Sequence, residues 1–202
     1  MLKKIGQLEW IIIGLILVLV VFGGYWVFGG TNSQVLDNYQ YSNGYSVFEV
    51  HKVSEIETYI ELFIGEDETP YLMGFRNDPL SVEDITVEGN VNTRIFGDSG
   101  VFVTIDPNEG LTGLTTIAAL EINNILETLY EIPVGSAMTS EYGNYTVMNC
   151  DTASGDYTVV YLTLGEETKV YVQDYCIVVM GETEEDIVRA TDRMLFDLLG
   201  IM

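Results

Sequence analysis

Cys150, Cys176 and His51 are the only residues of their types in this chain, so thiol and imidazole chemistry must use them. The spacing of the cysteines excludes a C-x-x-C redox or metal motif, and His51 offers no second histidine to share a zinc ion. Two cysteines in an exported domain predict one disulfide; two buried thiols are the alternative. The bridge would close a loop of roughly 26 residues and contribute about 3 kcal/mol in the chain-entropy model. A Ser-His-Asp centre would have to use His51, and no G-x-S-x-G elbow is present. Paired carboxylates of the kind used in glycoside hydrolysis are the one catalytic option left by composition. With 31 acidic residues such pairs arise by chance, so we expect no enzyme and assign no catalytic or cofactor-binding residue. Glu66 to Glu68, Asp106 to Glu109 and Glu182 to Asp186 are acidic clusters. None has EF-hand spacing, which leaves calcium as an expectation from charge alone and the metal ligands unknown. Asn144, Tyr145 and Thr146 form the one glycosylation sequon, with Asn144 as acceptor.

The charge behind those clusters is lopsided. Against the 31 acidic residues stand 8 Lys and Arg, for a formal net charge of -23, yet 48% of residues are hydrophobic. An acidic disordered tail is excluded by the hydrophobic content, and nucleic-acid binding by the lack of cations to replace phosphate counterions. Residues 1–30 contain only Lys3, Lys4 and Glu9 as charges, so the imbalance lies almost wholly beyond them. Trp10 to Phe28 is an apolar run of about 19 residues without charge or proline, long enough to cross a bilayer as a helix. Lys3 and Lys4 precede it and no basic residue follows until Lys52. By the positive-inside rule the N-terminus is cytoplasmic and the remainder extracellular. Val27, Phe28 and Gly29 make a poor signal-peptidase site, so the run reads as a permanent anchor in the cell membrane.

The elements follow from periodicity. Residues 1–30 read as the anchor, 31–44 as a polar tether and 45–202 as the exterior domain. Val47 to Val53 and the alternating Ile56, Thr58, Ile60, Leu62 and Ile64 predict two strands. A loop limited by Pro70 and Pro79 follows. Val101 to Ile105 predicts a strand leading to a helix from about Leu114 to Tyr130. Cys176 to Met180 leads in the same way to a helix from about Glu184 to Leu199. Thr183 is placed to cap the second helix, with acidic residues in its first turn and Gly200 at its end. Tyr145 to Cys150, Tyr157 to Leu164 and Thr168 to Val172 supply further strands. The expected class is α+β or α/β: an N-terminal transmembrane helix, then one exterior domain with a mixed sheet and two principal helices. Tyr39, Tyr41 and Tyr45 crowd the tether and suggest a contact surface for self-association.

Two resemblances rest on these residues. The strand-acidic loop-helix ending from Cys176 to Ile201 resembles the terminus of uncharacterised single-span archaeal cell-surface proteins. More loosely, it is similar to modules of archaeal S-layer and envelope proteins. The segment Lys4 to Glu9, ahead of the apolar run, resembles the processing region of archaeal type IV pilins, in which cleavage follows a glycine, here Gly6. The resemblances imply a membrane-anchored envelope protein in a structural or protein-interaction role, with the bilayer, other envelope proteins or its own copies as partners. A pilin-like filament subunit and a surface receptor or ion-binding module are the alternatives.

Overall fold

Alternation of apolar and polar residues produces the first sheet. The computed structural model describes residues 36–65 and 69–202, so the anchor of residues 1–30 with its apolar run and the pilin-like segment Lys4 to Glu9, residues 31–35 of the expected tether, and Glu66 to Glu68 lie outside the described residues. Asp37–Ser42 (β1), Val47–Ser54 (β2), Glu57–Leu62 (β3) and Tyr71–Phe75 (β4) pair antiparallel in chain order. Thr58, Ile60 and Leu62 of β3 are buried, while Glu57 faces solvent. Successive strand residues point to opposite faces, so this alternation makes one face of the sheet apolar.

β1 corrects the expected tether, which was to run through Gly44. Tyr41 is only 8% exposed and belongs to the core. The Tyr39 hydroxyl donates to Asp78 Oδ1 (3.0 Å), and Lys52 Nζ donates to Asp78 Oδ2 (2.8 Å). The ring burial and this buried carboxylate hold a polar sequence in a strand that composition alone reads as a linker. β4 replaces the first part of the loop expected between Pro70 and Pro79.

The second sheet has seven strands in the order β5-β10-β11-β9-β6-β7-β8. They are Thr86–Glu88 (β5), Val101–Ile105 (β6), Val134–Met138 (β7), Thr146–Val147 (β8), Thr158–Leu164 (β9), Lys169–Gln173 (β10) and Cys176–Gly181 (β11). β6, β7, β8, β9 and β11 are parallel, and β10 runs antiparallel to β11. The domain is therefore mixed α/β with two sheets, where one was expected. The strand expected over Tyr145 to Cys150 shrinks to the two residues of β8, and Val134–Met138 is a strand without a matching expectation.

Three α-helices are described, Val91–Ile95 (α1), Gly113–Tyr130 (α2) and Glu184–Leu198 (α3), besides a 3-10 turn at Pro79–Val82. The two long ones match expectation within a residue. Thr183 Oγ1 accepts from the Asp186 backbone N–H (3.2 Å), and Glu184, Glu185 and Asp186 occupy the positive end of the helix dipole. Gly200 takes the left-handed conformation (φ 67°) that ends such a helix. α2 and α3 lie between the sheets. Ile122, Ile125 and Leu126 from α2 and Ile187, Met194, Leu195 and Phe196 from α3 share one core with both sheets. Phe196 meets Phe75 of β4 edge-on, with ring centroids 4.7 Å apart. The outer face of the larger sheet carries a smaller cluster of Val159, Cys176 and Val178, covered by Met148, Cys150 and Ala153. Cys150 and Cys176 are bonded there, with Cα atoms 5.2 Å apart. The bond ties the strand-poor segment after β8 onto the sheet it covers. No helix among the described residues is long and apolar enough to cross a membrane.

Candidate functional site

α2 and α3 each place one acid at the seam between them. Glu121 follows Ala118 by three residues and precedes Ile125 by four; Asp192 follows Val188 by four and precedes Phe196 by four. Helical periodicity puts both on buried faces. Asp192 is 0% exposed. Its Oδ2 accepts from the Asn77 backbone N–H (2.8 Å) and from Asn77 Nδ2 (2.9 Å), just past the end of β4. Asp192 Oδ1 and Glu121 Oε2 have no such donor, and the two carboxyl groups lie within hydrogen-bond reach of each other. Two bare carboxylate oxygens cannot face each other in a dry interior; one proton between them satisfies both. Burial first, and then the Asp192 charge, pushes the Glu121 carboxyl up to about 9, with Arg76 opposing. Burial also raises Asp192 against the hydrogen bonds of Asn77. The titration belongs to the pair rather than to either residue.

Beside the pair opens a cleft of about 410 Å³, reached past Gly74, Arg76, Tyr59 and Glu57, with Glu121 in its wall. This arrangement can hold a proton and join two helices to the end of the smaller sheet. Sequence reading passed over both acids because each stands alone among apolar neighbours rather than in a cluster. The signal that could have found them is an acid at a core position of a helical stripe.

The residues singled out by sequence stand elsewhere. His51 lies on β2, where Nδ1 bonds Asn38 Oδ1 (2.9 Å) and Nε2 bonds Glu61 Oε1 (2.8 Å), so both ring nitrogens serve cross-strand contacts. Of the acidic clusters, Glu66 to Glu68 lie outside the described residues, and each of the other two gives a carboxylate to the fold. Glu109 accepts from the hydroxyls of Tyr161 (3.1 Å) and Thr163 (2.6 Å) and from the Leu164 N–H (3.2 Å). Glu184 Oε2 accepts from the N–H groups of Thr112 (2.8 Å) and Thr115 (3.2 Å) and from Thr115 Oγ1 (2.8 Å). Thr112 itself makes no capping bond, so Glu184 of α3 caps α2. Among the described residues no three of His, Cys, Asp or Glu converge as metal ligands. Asn144 is exposed in the turn between β7 and β8, next to the stacked rings of Tyr142 and Tyr145. Of the tether tyrosines, Tyr45 is 98% exposed, whereas Tyr39 and Tyr41 are held in β1. No protein-family model, no curated protein and no solved structure matches this chain.

Proposed function

We propose that the chain is a single-pass, membrane-anchored cell-envelope protein whose acidic domain stands outside the cell in a structural or protein-interaction role. The observation that carries this reading is the Cys150–Cys176 bond, because such bonds persist in oxidising, extracytoplasmic surroundings. The sequence adds the apolar run Trp10 to Phe28 with Lys3 and Lys4 before it, and an exterior charge that keeps a crowded surface protein soluble. A non-enzymatic role is supported by the engagement of His51 within its sheet and by the closed contact of Glu121 with Asp192. Protease added to intact cells tests the location. The domain is expected to be cleaved without lysis, and protection until lysis would refute it. The resemblance of Lys4 to Glu9 to pilin processing regions favours a filament subunit as the second reading. An intact N-terminal mass supports the anchor; a chain beginning at Gln7 supports the filament.

A further inference from the structure

The four sheet edges are not treated alike. β8 has two residues, β5 has three and ends on Glu88, and β1 opens with Asp37 and alternates polar side chains outward. Short length and charge are the usual protections of an edge strand. β4 has neither. It runs Tyr71, Leu72, Met73, Gly74, Phe75 without charge or internal proline, and its register with β3 is unbroken from Thr58↔Phe75 to Leu62↔Tyr71. No strand among the described residues pairs with its other side. Met73 and Phe75 point into the core; Leu72, 61% exposed, and Gly74 face outward.

The neighbours of those outward residues are acidic and aromatic. Glu61 lies beside Leu72 and Tyr59 beside Gly74, and the Tyr59 hydroxyl donates to Glu57 Oε1 (2.8 Å). A Cβ at position 74 would stand 3.2 Å from Tyr59 Cε1, so the glycine leaves the ring uncovered. The 410 Å³ cleft lies over this spot, between Glu57 and Arg76. Arg76 lines the same cleft and Glu61 Oε1 is bonded to His51 Nε2 (2.8 Å), so the acidic sign along β4 comes from Glu57, the second oxygen of Glu61 and the net charge of -23.

We propose that β4 is a docking edge for an extended, basic segment of another polypeptide, which adds as a fifth strand to the smaller sheet. Backbone hydrogen bonds supply the pairing. Alternate Lys or Arg side chains cross Leu72 and Gly74 toward Glu61, Tyr59 and Glu57. A second copy of this chain is the poorer occupant, because two molecules of net charge -23 repel. The inference rests on the protein-interaction reading above and names its surface.

The test uses the full chain in phosphatidylcholine nanodiscs and a fluorescent peptide of alternating Lys and Val. A twin peptide of equal charge carries N-methyl groups on alternate amides along one edge. Anisotropy is expected to show binding of the plain peptide and at least about tenfold weaker binding of the twin, because only strand pairing needs the free edge. Hydrogen exchange is expected to slow within Tyr71 to Phe75. Glu57→Gln with Glu61→Gln should weaken binding, and Leu72→Lys should do the same through charge at the edge. Equal affinity for both peptides, protection elsewhere in the domain, or sedimentation showing that β4 pairs copies of this chain would overturn the proposal. The peptide comparison uses unmodified protein, so a variant that misfolds does not affect it. Loss of peptide binding with the domain still cleavable on cells rejects the docking edge alone. Binding with a protected domain rejects the location alone.

Discussion

Replacing Glu121 with Gln should flatten the pH dependence of folding stability. In the folded chain burial raises both carboxyls, so the Glu121–Asp192 pair retains at least one proton up to about pH 9; in the unfolded chain both ionise near their ordinary values of 4.5 and 3.8. Between about pH 5 and pH 9 the folded state therefore binds at least one proton more than the unfolded state. A raised folded-state value means the stabilisation is fully present at acidic pH and is lost as pH climbs through that window. Each extra proton contributes about 1.4 kcal/mol per pH unit, so the pair accounts for a fall of at least about 3 kcal/mol between pH 6 and pH 8. Gln at position 121 offers an amide N–H to Asp192 Oδ1 at every pH and needs no proton. Urea unfolding of both proteins at several pH values gives the slopes, and their difference cancels the general repulsion among the other carboxylates. Parallel slopes from pH 6 to pH 8 would refute the shared proton.

Other substitutions test separate parts of the fold. Cys150→Ser with Cys176→Ser should lower stability by about 3 kcal/mol in urea melts, and non-reducing peptide mapping of the parent should recover the two cysteines in one fragment. Glu184→Ala should cost about 1 kcal/mol through loss of the α2 cap, measured by the same melts, whereas Glu182→Ala at an exposed site should change little. Tyr41→Ser should destabilise by about 3 kcal/mol, and Tyr45→Ser by less than about 0.5 kcal/mol, because only the first ring is buried. Equal effects would refute the assignment of β1 to the core.

The regular parts of the domain were legible because their apolar spacing agrees with their final burial. Ile187, Ala190, Thr191, Met194, Leu195 and Leu198 form the buried stripe of α3, and Thr58, Ile60 and Leu62 the inner face of β3. β1 was hidden because its anchors are two tyrosines and a distant carboxylate, Asp78, which lies far along the chain. β4 was hidden because its flanking prolines suggest interruption, although neither lies inside the strand. The disulfide could be expected from compartment reasoning, while its place on the outer sheet face depends on which strands become neighbours. The carboxyl pair joins two helices distant in sequence, and no local pattern encodes their contact.

Glu184 caps a helix that precedes it in the chain by some seventy positions, roughly the span from Thr112 to its own place. A chain emerging N-terminus first makes α2 before the carboxylate that completes it exists. Until the last segment arrives, the opening N–H groups of α2 must rely on water. Completion of the C-terminus thus acts as the closing step for an element formed much earlier, and a product truncated before Glu184 would carry an unfinished first long helix.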